Sequence, residues 1–311
     1  MKILVLHPGA LGDIILSLPA LSLLRRHYPR AQLTLAGNLD YLTPVAIGYT
    51  DRSLSLSTIP LHRLYSPEPL SQADVSFWKT YDRIISWTGA GGPAFRSKLA
   101  KIGAEVRVSR WKPDSSDKRH VARIFVESLC SWIPPVESIL PPKIRVDPVR
   151  RDEAQTWLTE RGWTSDESIL ALHPGASSAL KRWGIESFRS LALRHLQQRK
   201  GRLLIVEGPA EPGLGRELAR DLTPACILLS ESSPLVLLAA LLSFCRAYVG
   251  NDSGISHLAA GLGLPSVTIF GPTSPDQWAP LGERATILRD SCLSRITPNQ
   301  VWDALLRWEP H

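Results

Sequence analysis

The 311-residue sequence is poor in the features that staple small folds or hold metals. Its four cysteines, Cys130, Cys226, Cys245 and Cys292, are widely separated, and no two have C-x-x-C spacing. A zinc knuckle or redox dithiol is therefore disfavoured. Scattered cysteines fit a reducing cytosol, where they pack as small apolar residues. No D-x-D triplet occurs, so a carboxylate-held metal gripping a nucleotide diphosphate has no obvious site. Long apolar runs are also missing. The most apolar stretch, Pro234 to Cys245, falls well short of the roughly 20 residues needed to cross a bilayer. The N-terminus does not read as a secretory signal, because His7 and Asp13 interrupt its apolar run and no clean cleavage site follows.

What remains is a globular composition, 44% hydrophobic and 21% charged, at a length that suggests two domains. Such apolar content excludes disorder as the main state. The net charge of +7 is unevenly placed. Residues 1–150 carry 20 Lys and Arg against 12 Asp and Glu, or +8; residues 151–311 carry 16 against 17, or −1. The basic surplus reads either as a solvated surface or as a patch for an anionic partner, and charge alone does not choose.

Strand, helix and strand signals at Lys2–Leu6, Leu11–Tyr28 and Ala31–Ala36 form a βαβ unit, which implies a parallel sheet. The second half opens the same way, with a strand at Ile169–Leu172. The pentapeptide L-H-P-G-A occurs at 6–10 and again at 172–176, each time after a strand. Strands at 203–207, 226–229, 247–250 and 266–270 then alternate with helices at 214–222, 234–245 and 253–261. This alternation predicts a doubly wound α/β sheet. The proline-rich stretch 134–149 reads as the linker, giving domains 1–148 and 149–296. A helix at 297–308 is expected to pack back on the first domain. Two such domains facing one another leave a cleft at the carboxyl ends of their strands, where these folds bind ligands.

Three clusters carry chemistry. In Asn251-Asp252-Ser253-Gly254-Ile255-Ser256-His257, Asp252 or Ser253 can cap a helix whose N–H groups would receive an anion. The plainer alternative is an ordinary cap with a core histidine. In Gly175 to Trp183, Ser177 and Ser178 precede Lys181 and Arg182, a set suited to a diphosphate or, alternatively, to an exposed basic turn. The spacing is not that of a Walker loop. In Gly9-Ala10-Leu11-Gly12-Asp13, Gly12 permits close approach, and the full dinucleotide fingerprint is absent. Asp13, in the first helical turn, either complements the helix dipole or acts as a general base that the dipole keeps ionised.

Taken together these stretches resemble glycosyltransferase family 9, the lipopolysaccharide heptosyltransferases. The resemblance rests on G-A-L-G-D-I-I-L-S-L-P-A-L-S-L-L, on H-P-G-A-S-S-A-L-K-R-W followed by Phe188, and on V-G-N-D-S-G-I-S-H-L-A-A-G-L-G-L-P-S-V-T-I-F-G-P-T. It leaves residues 45–140 unread. It implies an α/β GT-B architecture of two Rossmann-like domains, with acceptor on the first and nucleotide sugar on the second. It implies no cofactor and no required metal, the donor being a substrate. Asp13 matches the catalytic base, with Gly9 and Gly12 beside the reacting centre. Lys181 matches the diphosphate lysine, with Ser177 and Ser178 at the phosphates. Asp252, Ser253, Gly254 and His257 match the donor loop. Gly208-Pro209-Ala210-Glu211 and Ser230 to Ser233 look like the loops around ribose and base. Where many members carry Lys or Arg near the end of the first strand, this chain has His7-Pro8.

The activity so implied is inverting transfer of heptose from ADP-heptose to an anionic glycolipid, the lipopolysaccharide inner core. The location so implied is cytoplasmic, with at most peripheral contact at the inner membrane. Another nucleotide sugar or acceptor, or a GT-B epimerase or hydrolase, is the alternative. A nucleic-acid partner has no motif in its favour.

Overall fold

A computed structural model describes residues 1–114, 116–198, 201–209 and 211–308. The chain divides into two compact units, Met1–Leu140 and Pro141–His311. In the first unit the strands are β1 (Lys2–Leu6), β2 (Gln32–Gly37), β3 (Arg52–Ser55), β4 (Arg83–Ser86) and β5 (Glu105–Val108). Its helices are α1 (Leu11–His27), α2 (Leu39–Leu42), α3 (Leu61–Tyr65), α4 (Gln72–Trp78), α5 (Pro93–Ala100) and α6 (Val121–Glu127). The sheet is parallel with order β3-β2-β1-β4-β5. Its central strand is buried on both faces, which is why Ile3 to Leu6 read as an unbroken apolar run.

In the second unit the strands are β6 (Ser168–His173), β7 (Gly201–Glu207), β8 (Ile227–Glu231), β9 (Ala247–Asn251), β10 (Ser266–Phe270) and β11 (Ala285–Arg289). Its helices are α7 (Pro148–Glu160), α8 (Ile185–Gln198), α9 (Leu214–Ala219), α10 (Leu235–Leu242), α11 (Gly254–Gly261), α12 (Pro275–Trp278) and α13 (Pro298–Leu306). This sheet is also parallel, in the order β11-β10-β9-β6-β7-β8. Both orders are those of the doubly wound dinucleotide-binding fold.

The second compact unit includes the residues from Pro141 onward. Ile144 is the reason: its N–H donates to the Gly261 carbonyl at 2.8 Å, and its side chain is 7% exposed. Gly261 has no side chain because Ile144 Cδ1 would lie 2.6 Å from its Cβ. Residues 141–147 are therefore tied down rather than linking. Val301, Trp302, Ala304 and Leu305 are buried in the core of the second unit, with α8 and β10 as neighbours. The residues at 309–311 of that expected segment lie outside the described residues. No helix among the described residues is long and apolar enough to cross a membrane.

Candidate active site

In the second unit the strand order reverses between β6 and β9. Turns leaving the carboxyl ends at such a switch point lie side by side and receive ligands. Asn251, fully buried, ties these two turns together. Its Nδ2 donates to the Pro174 carbonyl at 2.8 Å, and its Oδ1 accepts from the Trp183 N–H at 2.9 Å. The Trp183 indole N–H donates to the Ile296 carbonyl at 2.8 Å. A buried amide satisfied at both ends holds its neighbours in one register. The segment bearing Lys181 is thereby pinned beside the β9 turn.

Lys181 Nζ lies 2.7 Å from Asp252 Oδ2, whose side chain is 9% exposed. Ser253 begins α11, but its hydroxyl does not cap the helix. Its Oγ instead lies 3.2 Å from His173 Nδ1. The first N–H groups of α11, starting at Gly254, thus have no side-chain acceptor from the cap, and the positive helix end is left for an anion. His257 is buried in the same helix. Ser177 is exposed, while Ser178 accepts from the Leu180 N–H at 3.3 Å and starts a short 3-10 turn through Lys181.

Glu211 arrives from the loop after β7. Its Oε1 accepts from the Ala176 N–H at 3.1 Å and lies 3.5 Å from Arg182. Ala210, beside it, lies outside the described residues. Glu207 closes this loop by accepting from the N–H groups of Gly213, at 2.9 Å, and Gly215, at 2.6 Å. Ser230 Oγ donates to Ser233 Oγ at 2.9 Å, and the Ser232 N–H donates to the Glu207 carbonyl at 3.0 Å. The two loops are therefore linked through one buried carboxylate residue. Among the described residues, no group of three or more His, Cys, Asp or Glu is placed to hold a metal ion.

The first unit repeats the turn after its own first strand. The Ala10 N–H donates to Asp13 Oδ2 at 2.9 Å, as the Ala176 N–H does to Glu211. The Gly9 N–H donates to His7 Nδ1 at 3.0 Å. Only glycine fits at position 9, since a Cβ would lie 2.6 Å from both Asp13 Cβ and His7 Cε1. Neither atom can swing aside: one is held by α1 and the other by a closed aromatic shell. Gly9→Ala is expected to cost about 1–3 kcal/mol by overpacking. Urea unfolding measures that cost, and a midpoint equal to wild type contradicts it. Gly12 sits half-buried in the first turn of α1.

The Asp13 carboxyl is held above its ordinary range. Burial raises it, and the Ala10 N–H and the Lys112 charge offset this only in part. A surface dipole contributes about 0.3–1 kcal/mol, and here desolvation is the larger effect.

Two histidines at equivalent places in the repeated turn are buried and neutral. Burial depresses His7 to about 3 and His173 to about 4. His7 packs among Trp87, Trp111 and Phe125, with ring centroids 5.2, 5.9 and 5.2 Å away. It therefore supplies no positive charge at this turn. Below pH 6.5 the unfolded chain takes up protons at both sites while the folded chain does not. Their contribution to stability is complete above 6.5 and falls toward pH 4, by about 1.4 kcal/mol per pH unit for each ring. Urea midpoints at pH 7, 6 and 5 should show this slope, and His7→Phe should roughly halve it. An unchanged slope in that variant would count against the assignment.

Glu207 builds the site without a signal that sets it apart in one sequence. Asn251 lies within the matched loop, but its partners Pro174 and Trp183 are not visible in the sequence. His173 had one clue, the repeated pentapeptide.

Comparison with known proteins identifies the family. Residues 137–300, more than half of the chain, match the model of glycosyltransferase family 9 (heptosyltransferase). Lipooligosaccharide heptosyltransferase 2 of Haemophilus influenzae is 27% identical over 319 residues, covering 93% of this chain and 88% of that protein. The solved structure of Escherichia coli ADP-heptose LPS heptosyltransferase II has a TM-score of 0.78 at 20% identity, covering 100% of both chains. That of E. coli heptosyltransferase WaaC with ADP has a TM-score of 0.71 at 19% identity, covering 99% of each. Two doubly wound parallel units with this likeness are the GT-B fold of a glycosyltransferase. The chain belongs to glycosyltransferase family 9.

Proposed function

We propose that this enzyme moves a heptose from ADP-heptose to an inner-core lipopolysaccharide acceptor, with inversion and without a metal. The observation that carries the proposal is the pairing of Lys181 with Asp252 beside the uncapped start of α11. A diphosphate needs a cation and oriented N–H groups, and these lie together at the switch point. The names and ligands of the relatives supply the particular donor and acceptor: ADP in one solved structure, lipooligosaccharide or lipopolysaccharide in the others.

In this reading the second unit holds the donor. Lys181 and the α11 N–H groups meet the diphosphate, with Ser177, Ser178, Ser253 and Gly254 as smaller contacts. Asp252 orients the lysine, and Glu211 accepts from hydroxyls of the nucleoside. His257 supports the loop from below. The first unit holds the acceptor. Asp13 takes the proton from an acceptor hydroxyl as its oxygen attacks the anomeric carbon. The bond from that carbon to the diphosphate oxygen breaks, and the electron pair leaves with ADP. One displacement from the opposite side inverts the centre. Lys181 and the helix end stabilise the charge that develops on the leaving oxygen. The enzyme would work in the cytoplasm, touching the membrane only through its acceptor.

The test is ADP release from ADP-heptose, with and without heptose-deficient lipopolysaccharide, for wild type and Asp13→Ala. Release that requires both acceptor and Asp13 supports the reading. Release from donor alone would assign a hydrolase instead.

A further inference from the structure

Strand β7 runs through Leu203, Leu204, Ile205 and Val206, all buried, and then ends on a carboxylate, Glu207, that is itself 8% exposed. A carboxylate taken out of water is costly unless it is hydrogen-bonded. Its neighbour in register on β8, Glu231, pairs with Arg216. Glu207 instead spends its two oxygens on backbone. Oε1 accepts from the Gly213 N–H at 2.9 Å, and Oε2 accepts from the Gly215 N–H at 2.6 Å.

The turn so gripped has little else to hold it. Gly213 starts α9 with φ +90° and has no side chain to cap the helix. Glycine has more conformational freedom to lose on ordering than any other residue. The backbone bonds within the turn are long: the Glu211 N–H reaches the Gly208 carbonyl, and the Leu214 N–H reaches the Glu211 carbonyl, both at 3.3 Å. Leu214 lies between the two glycines that Glu207 holds. The backbone of Glu211 is therefore tied to the Glu207 carboxylate through a single intervening N–H.

Glu211 has little room to move. Its Oε1 accepts from the Ala176 N–H at 3.1 Å, and its Oε2 lies 2.9 Å from where a Cβ on Gly175 would stand. The segment from Glu211 to Leu214 also lines an open cavity of about 810 Å³, within the size range of ligand sites. On its other side, the Glu207 carbonyl accepts from the N–H of Ser232 at 3.0 Å, and Ser232 is held at φ +48°. Both loops that resemble the ribose and base loops thus hang on one residue.

We propose that Glu207 is a positioning residue for nucleoside recognition, which sets the place from which Glu211 accepts the ribose hydroxyls. This rests on the transferase reading and deepens it, since it names what holds the carboxylate that reads the donor. Glu207 acts through Glu211 and Ser232, and its own oxygens are occupied by the turn. A group placed to read hydroxyls loses much of its effect when its support loosens by about 1 Å.

The test uses Glu207→Gln in the full chain. The side chain keeps its size, but one oxygen becomes an NH2 group that cannot accept from its glycine N–H. Three probes are titrated by calorimetry: ADP, 2′,3′-dideoxy-ADP and inorganic pyrophosphate. ADP is expected to bind the variant about tenfold more weakly, on the scale of one charge-assisted hydrogen bond. Dideoxy-ADP lacks the hydroxyls that Glu211 reads, so wild type and variant should bind it alike. Pyrophosphate should also bind them alike. In transfer assays the KM for ADP-heptose should rise by more than kcat falls. An equal loss for all three probes would mean general damage to the unit and would overturn the positioning role. So would ADP affinity within twofold of wild type. If the loss is selective for ADP but ADP-heptose gives no transfer in wild type, the positioning role stands and the transferase reading fails.

Discussion

Asp13→Asn is expected to lower kcat by about 10²–10⁴, the range for removing a general base, with little change in donor affinity. The substitution keeps the shape of the site. An asparagine carbonyl still accepts from the Ala10 N–H, so the turn that Asp13 braces at 2.9 Å persists. What it removes is the proton acceptor. Burial holds the wild-type carboxyl above its ordinary range, so the rate should fall with acidification sooner than for an exposed aspartate. That acid limb should be absent from the residual rate of the variant. Stability moves the other way. A carboxyl raised in the folded state binds protons more tightly there than in the unfolded chain. Its contribution is unfavourable when ionised and recovers as pH falls. Asp13→Asn should therefore be as stable as wild type at neutral pH, or more so, by urea unfolding. Steady-state rates across pH, alongside unfolding midpoints, check both halves. Full turnover in the variant would sink the mechanism.

Lys181→Ala carries the second large effect, about 10²–10³ in kcat, on the scale of losing one preorganised stabilising contact to developing charge. The loss is not only of attraction. Asp252 is 9% exposed and 2.7 Å from the ammonium, so deleting the lysine leaves a nearly buried carboxylate beside the incoming diphosphate. A like charge then faces the donor where a neutralised pair stood. Two further variants separate these contributions. Lys181→Arg should recover part of the rate, and Lys181→Ala/Asp252→Asn should recover donor binding by removing the exposed repulsion. The measurements are ADP affinity by calorimetry and kcat with saturating acceptor. A Lys181→Ala rate within threefold of wild type would overturn the role.

Much of the scaffold was legible because its signals are local. β1, β6, β7, β9 and β10 are apolar runs that end in glycine, proline or asparagine turns, and both halves open with the same pentapeptide. Residues 45–140 were not legible. Their strands are four residues long and half-exposed at the sheet edges, as in β3 and β5, so neither alternation nor continuous hydrophobicity marks them. The C-terminal helix showed its apolar face but not its partner, and the partner proved to be its own unit.

The alternation of strand and helix outside residues 45–140 and the parallel sheets it implies follow from the chain alone. Periodicity and turn chemistry act over a few residues, and so they survive in a linear reading. Which groups meet is another matter. Asn251 reaches Pro174 and Trp183 across some 70 positions, and Glu211 reaches Ala176 across 35. Asp13 is raised because folding takes its carboxyl partly out of water. Pairing, burial and the field at a site depend on distances through space, and only the folded chain sets those distances.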